Sequence, residues 1–387
     1  MPLPPDFTLL QVVPELETGG AEQTTIDVAR AVIEAGGKAL VATRGGRMAA
    51  RLICDGGRLA QMPVNAKNPL TVLGNAARLV ELIRREGVSL VHARSRMPAF
   101  SALWAARVTD TPFVTTYHGI YSARSGLKRW FNAVMTRGDM VIANSEYTRA
   151  HILAEHEIDP ARVVAIPRGV DLDRFSASWV TPDRIAALRN AWDVPEDARR
   201  TVFIAAGRLS RVKGQETVIE AARLIRDAGR SDFLVLIVGD DQGRTGYREG
   251  LEKAIEDAGL KDLVRLVGHC DDMPAAYLLS DVALAARTTP EAFGRTAVEP
   301  QAMGRPVIAS DCGAQSETVV HGVTGWLVPP GDARAWADAM VRAMDLGPGK
   351  RLEMGEAGMS RARQLYRNEA MCAATLAVYE RVLEAQG

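Results

Sequence analysis

The chain has 387 residues, 47% of them hydrophobic, and its 47 Lys and Arg residues balance its 47 Asp and Glu residues. This length and apolar fraction predict two domains with packed cores, and the zero net charge argues against a nucleic-acid-binding protein. No run of 18 or more apolar residues is present, which excludes a membrane-spanning helix.

The cysteines and the N-terminus predict the compartment. The 4 cysteines are far apart and include no C-x-x-C pair, so reduced thiols are expected rather than disulfides or a metal site. The N-terminus lacks the basic start of a signal peptide. A cytoplasmic protein is therefore expected.

Short β-rich runs alternate with helical stretches in both halves of the chain. The runs are continuously apolar rather than alternating, which is typical of parallel strands covered on both faces. This pattern predicts two doubly wound α/β domains, whose ligands bind at the carboxyl ends of the strands. The predicted strands are residues 7–13, 38–43, 89–93, 113–118, 140–144, 163–167, 202–207, 233–239, 264–268, 282–286, 306–310 and 325–328.

In the first half, two features follow predicted strands. Gly19 and Gly20 come after the first strand, where glycine lets the backbone approach a ligand and opens a helix N-terminus, although most Gly-Gly pairs are only turns. His118 ends a later strand and is followed by Gly119. A lone histidine is more often structural than catalytic, so its role depends on its neighbours.

Positive charge is concentrated in the first half as well. Residues 44–137 carry 15 Lys and Arg against 4 Asp and Glu, a net charge of +11. Such a block fits a face for an anionic surface or substrate, or an ordinary solvated face. Within it, basic and aromatic residues interleave as at a membrane interface, or a helix there packs its aromatic rings into the core. The interleaved residues are Arg124, Lys128, Arg129, Trp130 and Phe131.

In the second half, the first strand ends in the loop GRLSRVKG. Arg208 and Lys213 in this loop can converge on one anion, Arg as a fork and Lys as a point charge. Further on, Asp271 or Asp272 could accept hydrogen bonds from a guanine base, which would favour a guanosine nucleotide as ligand. The alternative is that both are solvated loop acids.

Residues 290–310 read PEAFGRTAVEPQAMGRPVIAS and carry two carboxylates, Glu291 and Glu299. Because proline is tolerated in a helix's first turn, Pro300 predicts a helix that begins near Ala297 with Thr296 as its N-cap. The backbone amides of residues 294–298 then have no partner within the helix and are expected to form a phosphate site. Glu291 and Glu299 can reach the groups on either side of that phosphate, although Glu299 also fits a capping box with Thr296.

These glutamates, with the Gly-Gly turn, the GRLSRVKG loop and His118, resemble the motifs of glycosyltransferase family 4 along nearly the whole chain. The resemblance implies the α/β GT-B fold, two doubly wound Rossmann-like domains facing a cleft. It implies an acceptor-binding domain (residues 1–172), a connection (173–199), a nucleotide-sugar-binding domain (200–360) and a C-terminal helix (361–387) that crosses back to the first domain.

The resemblance also implies residue roles. Glu291 and His118 are the implied catalytic residues, with Glu291 at the donor sugar. Glu299 is implied to meet the ribose, and backbone amides the diphosphate. The implied donor-binding residues are Gly19, Gly20, Arg208, Lys213, Phe293, Gly294, Arg295, Thr296 and Glu299.

The implied activity is that of a retaining hexosyltransferase. It would move a sugar from a nucleoside-diphosphate sugar to a glycan or glycolipid acceptor, such as lipopolysaccharide core. The basic block and its aromatic residues, where they form a membrane face, predict attachment to the anionic inner face of the cytoplasmic membrane. No metal or other cofactor is expected, because Arg208 and Lys213 can stabilise the leaving diphosphate. The sequence does contain a D-x-D, Asp171 to Asp173, but at the domain connection, where Asp173 is expected to cap a helix.

Two alternatives remain open. A sugar-nucleotide 2-epimerase-like isomerase of the same fold would need acid/base residues at the sugar's C2, and the sequence shows no distinct set. A catalytically silent sugar-nucleotide-binding protein would tolerate loss of Glu291 or Lys213, and both are present.

Overall fold

The computed structural model describes residues 3–4, 6–17, 19–121, 125–196, 199–243 and 245–386. The chain divides into two compact units, one formed by Met1–Gly169 with Asn368–Gly387 and the other by Val170–Arg367. Each unit is built on one parallel sheet covered by helices. Within the described residues, no helix combines the length and apolar composition needed to cross a bilayer.

The first unit has a 7-stranded sheet in the order β3-β2-β1-β4-β5-β6-β7. Its strands are β1 (Thr8–Val12), β2 (Lys38–Thr43), β3 (Arg58–Gln61), β4 (Leu90–Ala93), β5 (Phe113–Tyr117), β6 (Met140–Ala143) and β7 (Val163–Ala165). Its helices are α1 (Gly20–Glu34), α2 (Ala49–Cys54), α3 (Pro69–Glu86), α4 (Arg96–Thr109), α5 (Gly126–Asn132), α6 (Glu146–Glu155) and α15 (Asn368–Glu384). The strand order reverses between β1 and β4, which is where ligands bind in such sheets.

The second unit has a 6-stranded sheet in the order β10-β9-β8-β11-β12-β13, which reverses between β8 and β11. Its strands are β8 (Thr201–Ala206), β9 (Phe233–Val238), β10 (Val264–Gly268), β11 (Val282–Ala285), β12 (Val307–Ser310) and β13 (Gly325–Val328). Its helices are α7 (Pro182–Ala191), α8 (Gln215–Asp227), α9 (Thr245–Asp257), α10 (Met273–Leu279), α11 (Arg295–Ala302), α12 (Gln315–Thr318), α13 (Ala333–Asp345) and α14 (Gly347–Leu365).

All the strands predicted from the sequence are present, and the structure adds β3. This strand was not predicted because it lies at the edge of the sheet and is partly exposed, so its sequence has no continuous apolar run.

The expected boundaries differ from the observed ones at two places. Trp192 and Val194 fall in the segment expected to be a connection, but they are buried in the core of the second unit, to which 173–196 belongs. The expected helix over 361–387 is two helices: α14 ends at Leu365 in the second unit, and α15 begins at Asn368 in the first.

Helix α15 is held in the first unit by a buried polar contact. The Tyr379 hydroxyl lies 2.6 Å from Nδ1 of His92 on β4, and Nε2 of His92 lies 2.7 Å from the Thr116 hydroxyl on β5. Burial, followed by the charge of Arg94, holds the pKa of His92 well below its usual value. The imidazole is therefore neutral and joins α15 to two central strands.

Candidate functional site

The reversal point of the second sheet brings two loops side by side. Strands β8 and β11 are neighbours, so the loop after β8 and the loop after β11 leave the same edge of the sheet. Lys213, Arg287 and Thr296 line one small cavity there. The structure thus joins the two sequence motifs that were predicted to bind the donor.

The loop after β8 carries Arg208 and Lys213, but the two side chains have different partners. Arg208 is exposed, and its Nη1 donates to Oε1 of Gln242 at 3.2 Å. Lys213 is 22% exposed and points to Glu291. Gly214 ends the loop with φ 68°, and a Cβ there would lie 1.6 Å from the carbonyl oxygen of Ala286, so only glycine allows this approach of the two loops.

Glu291 lies between two cations. Its Oε2 is 3.2 Å from Nζ of Lys213 and 3.0 Å from Nη1 of Arg287, and its side chain is 19% exposed. Burial alone would raise the pKa of Glu291, but the charges of Lys213 and Arg287, with hydrogen bonds from Lys213 and the Ala292 amide, hold that pKa below its usual value. Glu291 is therefore an ionised acceptor in a partly desolvated position.

Arg287 was missed by the sequence analysis. It follows β11, and its guanidinium also donates to the Thr289 carbonyl at 3.3 Å, which fixes the loop that leads to Glu291. The available signal was an arginine directly after a predicted strand, at the edge where ligands bind.

Replacing Arg287 by Gln should raise the pKa of Glu291, because one of two neighbouring positive charges is lost. The lowered pKa means that ionised Glu291 stabilises the fold above its unfolded-state pKa, and this stabilisation is lost as pH falls through the folded-state pKa. In Arg287→Gln that loss should begin at higher pH. Titration of the Glu carboxylates by ¹³C NMR measures the shift, and Arg248→Gln, on the exposed face of α9, is the control. An unmoved Glu291 titration would contradict the assignment.

Gly313 fixes the backbone of Glu291. The two residues form a parallel β-bridge, and the Ala314 amide donates to the Glu291 carbonyl at 2.8 Å. Gly313 has φ 67°, and a Cβ there would lie 2.4 Å from the oxygen and 2.5 Å from the nitrogen of Glu291. The position of Glu291 therefore depends on a glycine that its own sequence motif does not include.

Helix α11 does not begin where the sequence predicted. It starts at Arg295, its N-cap is Gly294 at φ 90°, and the Thr296 side chain caps nothing. Pro300 lies inside this short helix rather than in its first turn. The amides of Ala297 and Val298 both donate to the Gly294 carbonyl, which leaves the amides of residues 294–296 for the predicted phosphate site.

The carboxylate of Glu299 takes part in side-chain contacts instead of a capping box. Nε of Arg295 lies 2.9 Å from its Oε1, and the Tyr277 hydroxyl donates to its Oε2 at 3.4 Å. Burial, reinforced by the neighbouring Glu299, raises the pKa of Tyr277 well above its usual value and keeps that hydroxyl a donor. A ribose hydroxyl would therefore meet a carboxylate that Arg295 and Tyr277 already orient.

Phe293 does not offer its side chain to a ligand. Its ring is 3% exposed and packs edge-on against Tyr366 at 5.5 Å. The expected donor contact at this position can only involve the backbone. Burial of the ring anchors the loop between Glu291 and α11.

Asp272, one of the two acids that could accept from guanine, already has partners in the protein. Both carboxylate oxygens of Asp272 accept from Arg184, at 2.6 and 2.8 Å, and one also caps α10 through the Ala275 amide. The hydrogen bond from Arg184 is the main cause of the lowered pKa of Asp272. Asp271 is exposed and lies 2.9 Å from Nε2 of His269, so it is the remaining acid at this loop.

In the first unit, Gly19 and Gly20 stand where α1 begins, with Gly19 as its N-cap. His118 follows β5, and Nη2 of Arg168 lies 2.6 Å from its Nδ1. Because a guanidinium only donates, Nδ1 accepts and the neutral ring carries its proton on Nε2. Burial first, then the charges of Arg168 and Arg94, hold the pKa of His118 well below its usual value.

The basic and aromatic segment is only partly buried. Arg124 lies outside the described residues, while Lys128 and Arg129 are exposed on α5. Phe131 packs against Phe100 at 5.3 Å, whereas Trp130 also touches Phe100 but stays 54% exposed. The helix therefore packs the ring of Phe131 in a half-buried position and leaves the ring of Trp130 mostly exposed.

Asp171 and Asp173 form no metal site. The side chain of Asp171, not Asp173, accepts from the Arg174 amide at 3.0 Å, so the expected helix cap at Asp173 is wrong and the motif is a turn. Across the part of the chain that the structure describes, no group of three or more His, Cys, Asp or Glu side chains is arranged to hold a metal ion.

Two family models match the chain in succession. The model of Glycosyltransferase Family 4 matches residues 18–174, and that of Glycosyl transferases group 1 matches residues 188–361. Among curated relatives, the D-inositol 3-phosphate glycosyltransferase of Thermobifida fusca is 32% identical over 290 residues, 73% of this chain and 62% of the relative. The chain thus spans about three fifths of the length of the curated relatives it matches.

Solved structures agree with this assignment. A glycosyltransferase from Rickettsia africae is 31% identical, with a TM-score of 0.90 over 98% of this chain and 99% of that one. Anabaena HepE, solved with UDP-glucose, is 25% identical, with a TM-score of 0.83 over 96% and 99% of the two chains. The twin parallel sheets, the matched motifs and these relatives lead to one conclusion: the chain belongs to glycosyltransferase family 4 and has the GT-B fold.

Proposed function

We propose that the protein is a retaining, metal-independent hexosyltransferase that uses a nucleoside-diphosphate sugar. The observation that carries the proposal is the ionised Glu291 carboxylate between Lys213 and Arg287, next to the open amides that begin α11. A carboxylate binds sugar hydroxyls, and the lysine and amides bind a diphosphate. Together these protein groups match the two parts of a sugar nucleotide, the sugar and the diphosphate.

In the proposed reaction, the bond from the sugar C1 to the diphosphate oxygen breaks and a bond from C1 to an acceptor hydroxyl oxygen forms on the same face. The acceptor proton passes to the departing diphosphate. Lys213 and the amides of residues 294–296 stabilise the negative charge that develops on that diphosphate. Glu291 holds the hydroxyls of the transferred sugar.

A UDP-hexose is the first donor to test. Support comes from HepE, which was solved with UDP-glucose, and from the engagement of Asp272 by Arg184, which would compete with a guanine for that carboxylate. Thermal-shift and hydrolysis assays with a panel of UDP-, GDP- and ADP-hexoses identify the donor. Stabilisation by at least one sugar nucleotide and release of its diphosphate are expected; binding of none would reject the proposal.

Activity should survive excess EDTA, because Lys213 and backbone amides supply the positive charge at the diphosphate. The control is the same reaction with added magnesium or manganese, which should change the rate little. Complete loss of transfer in EDTA, restored by either metal, would contradict metal-free catalysis.

The acceptor is proposed to be an envelope glycan or glycolipid of the lipopolysaccharide type, reached at an anionic membrane surface. The first unit holds the net charge of +11 in residues 44–137, and α5 exposes Trp130 and Leu127, the latter 78% exposed, beside Lys128 and Arg129. Exposed aromatic and basic side chains together suit a bilayer interface.

The protein should bind phosphatidylglycerol vesicles reversibly and phosphatidylcholine vesicles weakly. Attraction is about 1 kcal/mol per basic residue near the surface, and salt screens it beyond about 10 Å at 0.1 M. Co-sedimentation at low and high salt measures this. Trp130→Ser should reduce binding, and Trp179→Ser, which removes a 70% exposed ring from the second unit, should not. Equal, negligible binding to both lipids would favour an acceptor that is not membrane-bound.

A further inference from the structure

Another cavity of the second unit lies at the edge of its sheet opposite to the candidate site. Strands β8, β11 and β12 are parallel neighbours, so their amino ends meet at one edge. Arg200 precedes β8, Asp281 precedes β11, and Arg305 comes two residues before β12. All three line a cavity of about 510 Å³, which is within the size range of small-molecule sites. Lys213 and Glu291 follow the carboxyl ends of strands, so the length of the strands separates them from this cavity.

Positive charge predominates in this cavity. It is lined by four half-buried arginines: Arg189 on α7, Arg200, Arg305 and Arg351 on α14. Arginine is mostly exposed in folded proteins, and a guanidinium that loses water needs a partner for its charge. Among the described residues, the carboxylates that line the cavity are those of Glu196 and Asp281. The lining therefore has more positive than negative charges.

The two carboxylates compensate the arginines only weakly. Oδ2 of Asp281 accepts from the Val202 amide at 2.8 Å, and the Asp281 amide donates to the Val202 carbonyl at 2.7 Å. Oδ1 of Asp281 lies 3.9 Å from Nη2 of Arg351, which is beyond hydrogen-bond distance. Glu196 is exposed and forms no ion pair with a described residue. Most of the positive charge of the cavity is therefore unpaired.

Backbone carbonyls orient the arginines instead. Nη1 of Arg351 donates to the carbonyls of Ala343 and Met344 in the last turn of α13, at 3.0 and 3.3 Å. Nη2 of Arg305 donates to the Leu278 carbonyl at 3.1 Å, while its buried Nε has no partner among the described residues. A carbonyl fixes a guanidinium without neutralising it, and a buried donor without an acceptor is costly. An anion would supply the missing acceptors and the missing negative charge.

We propose that this cavity binds a phosphate group, either free phosphate or the phosphate of a small metabolite, through Arg200, Arg305 and Arg351. Phosphate suits the site because guanidinium groups hold its oxygens by paired hydrogen bonds. A phosphomonoester also carries close to two negative charges at pH 7, enough to offset the charge of the lining. The site is distinct from the proposed donor site, and the proposal does not depend on the proposed function.

The test uses calorimetry on the full-length protein with three probes: inorganic phosphate, glucose 6-phosphate and glucose. Both phosphates should bind, whereas glucose, which has no charge, should not. Tighter binding of glucose 6-phosphate than of inorganic phosphate assigns the site to a phosphorylated metabolite, and equal or weaker binding assigns it to free phosphate. Absence of binding by both phosphates, or glucose binding as tight as theirs, would overturn the proposal.

Variants locate the bound phosphate. Arg305→Gln and Arg200→Gln should each weaken it at least about tenfold, because a charged hydrogen bond is lost. Arg200 is the safer position for folding, since its hydrogen bond within the described residues is a 3.5 Å contact with the Asp262 carbonyl. Arg248→Gln removes the same charge from the exposed face of α9 and should have no effect.

Each variant is made both in the wild-type protein and in Lys213→Met, so that phosphate bound at the donor loop is recognised. Circular-dichroism melting without phosphate shows that the variants are folded. Unchanged affinity in both cavity variants, or equal weakening by Arg248→Gln, would overturn the proposal, as would phosphate binding that Lys213→Met alone abolishes. No step requires a donor, so failure to bind any sugar nucleotide would reject the proposed function and leave this site standing.

Discussion

Glu291→Gln is expected to lower the turnover number for sugar transfer by about 10²–10³-fold, comparable to the loss of one key polar group in other active sites. Gln keeps the size of the side chain but not the negative charge that lies 3.2 Å from Lys213 and 3.0 Å from Arg287. The hydroxyls of the transferred sugar lose a charged acceptor. Because UDP does not contain that sugar, its affinity should change much less than the turnover number.

Steady-state kinetics with the identified donor, and calorimetry with UDP, measure the two effects separately. Glu252→Gln, which removes a carboxylate on the exposed face of α9, is the matched control. Glu291→Ala is a poorer variant, because it leaves two partly buried cations side by side at a cost of about 1–3 kcal/mol in stability. Turnover of Glu291→Gln close to that of wild type would remove Glu291 from the reaction.

Lys213→Met is expected to weaken both the sugar nucleotide and free UDP by about ten- to hundredfold. Met keeps much of the aliphatic length of the side chain and removes the charge that is proposed to pair with the diphosphate. Uridine has no phosphate, so its affinity should not change. The same substitution also removes one of the two cations beside Glu291, so the pKa of that carboxylate should rise.

Calorimetry with UDP and uridine is the decisive measurement. Lys253→Met, which removes an exposed lysine paired with Asp257 on α9, controls for the loss of one positive charge from the second unit. Unchanged UDP affinity in Lys213→Met would show that the lysine only holds Glu291. Equal weakening of uridine would indicate a damaged loop rather than a lost phosphate contact.

The sequence predicted the strands of both sheets because each is a short apolar run, and a parallel strand covered on both faces needs such a run. It also identified the loop with Lys213 and the loop with Glu291 as partners, since both follow strands and both match family motifs. The edge strand β3 was not predicted, because a partly exposed strand does not need a continuous run of apolar side chains. The start of α11 was mispredicted for a different reason: the rule that places proline in the first turn of a helix put the N-cap at Thr296, whereas Pro300 lies inside the helix and Gly294 is its N-cap.

The sequence by itself therefore determined the two-sheet architecture and the family, both of which depend on local composition or short motifs, and from the same motifs it predicted the candidate site residues. The tertiary structure decided which side chains meet. Lys213 reaches Glu291 across 78 residues and Arg184 reaches Asp272 across 88, and both contacts depend on the order of strands in the second sheet. The bridge between Gly313 and Glu291 and the stacking of Arg96 on Tyr121 are also contacts between residues that lie far apart in the chain. A sequence pattern records the neighbours of a residue along the chain, whereas the charge state and orientation of a side chain are set by its neighbours in space.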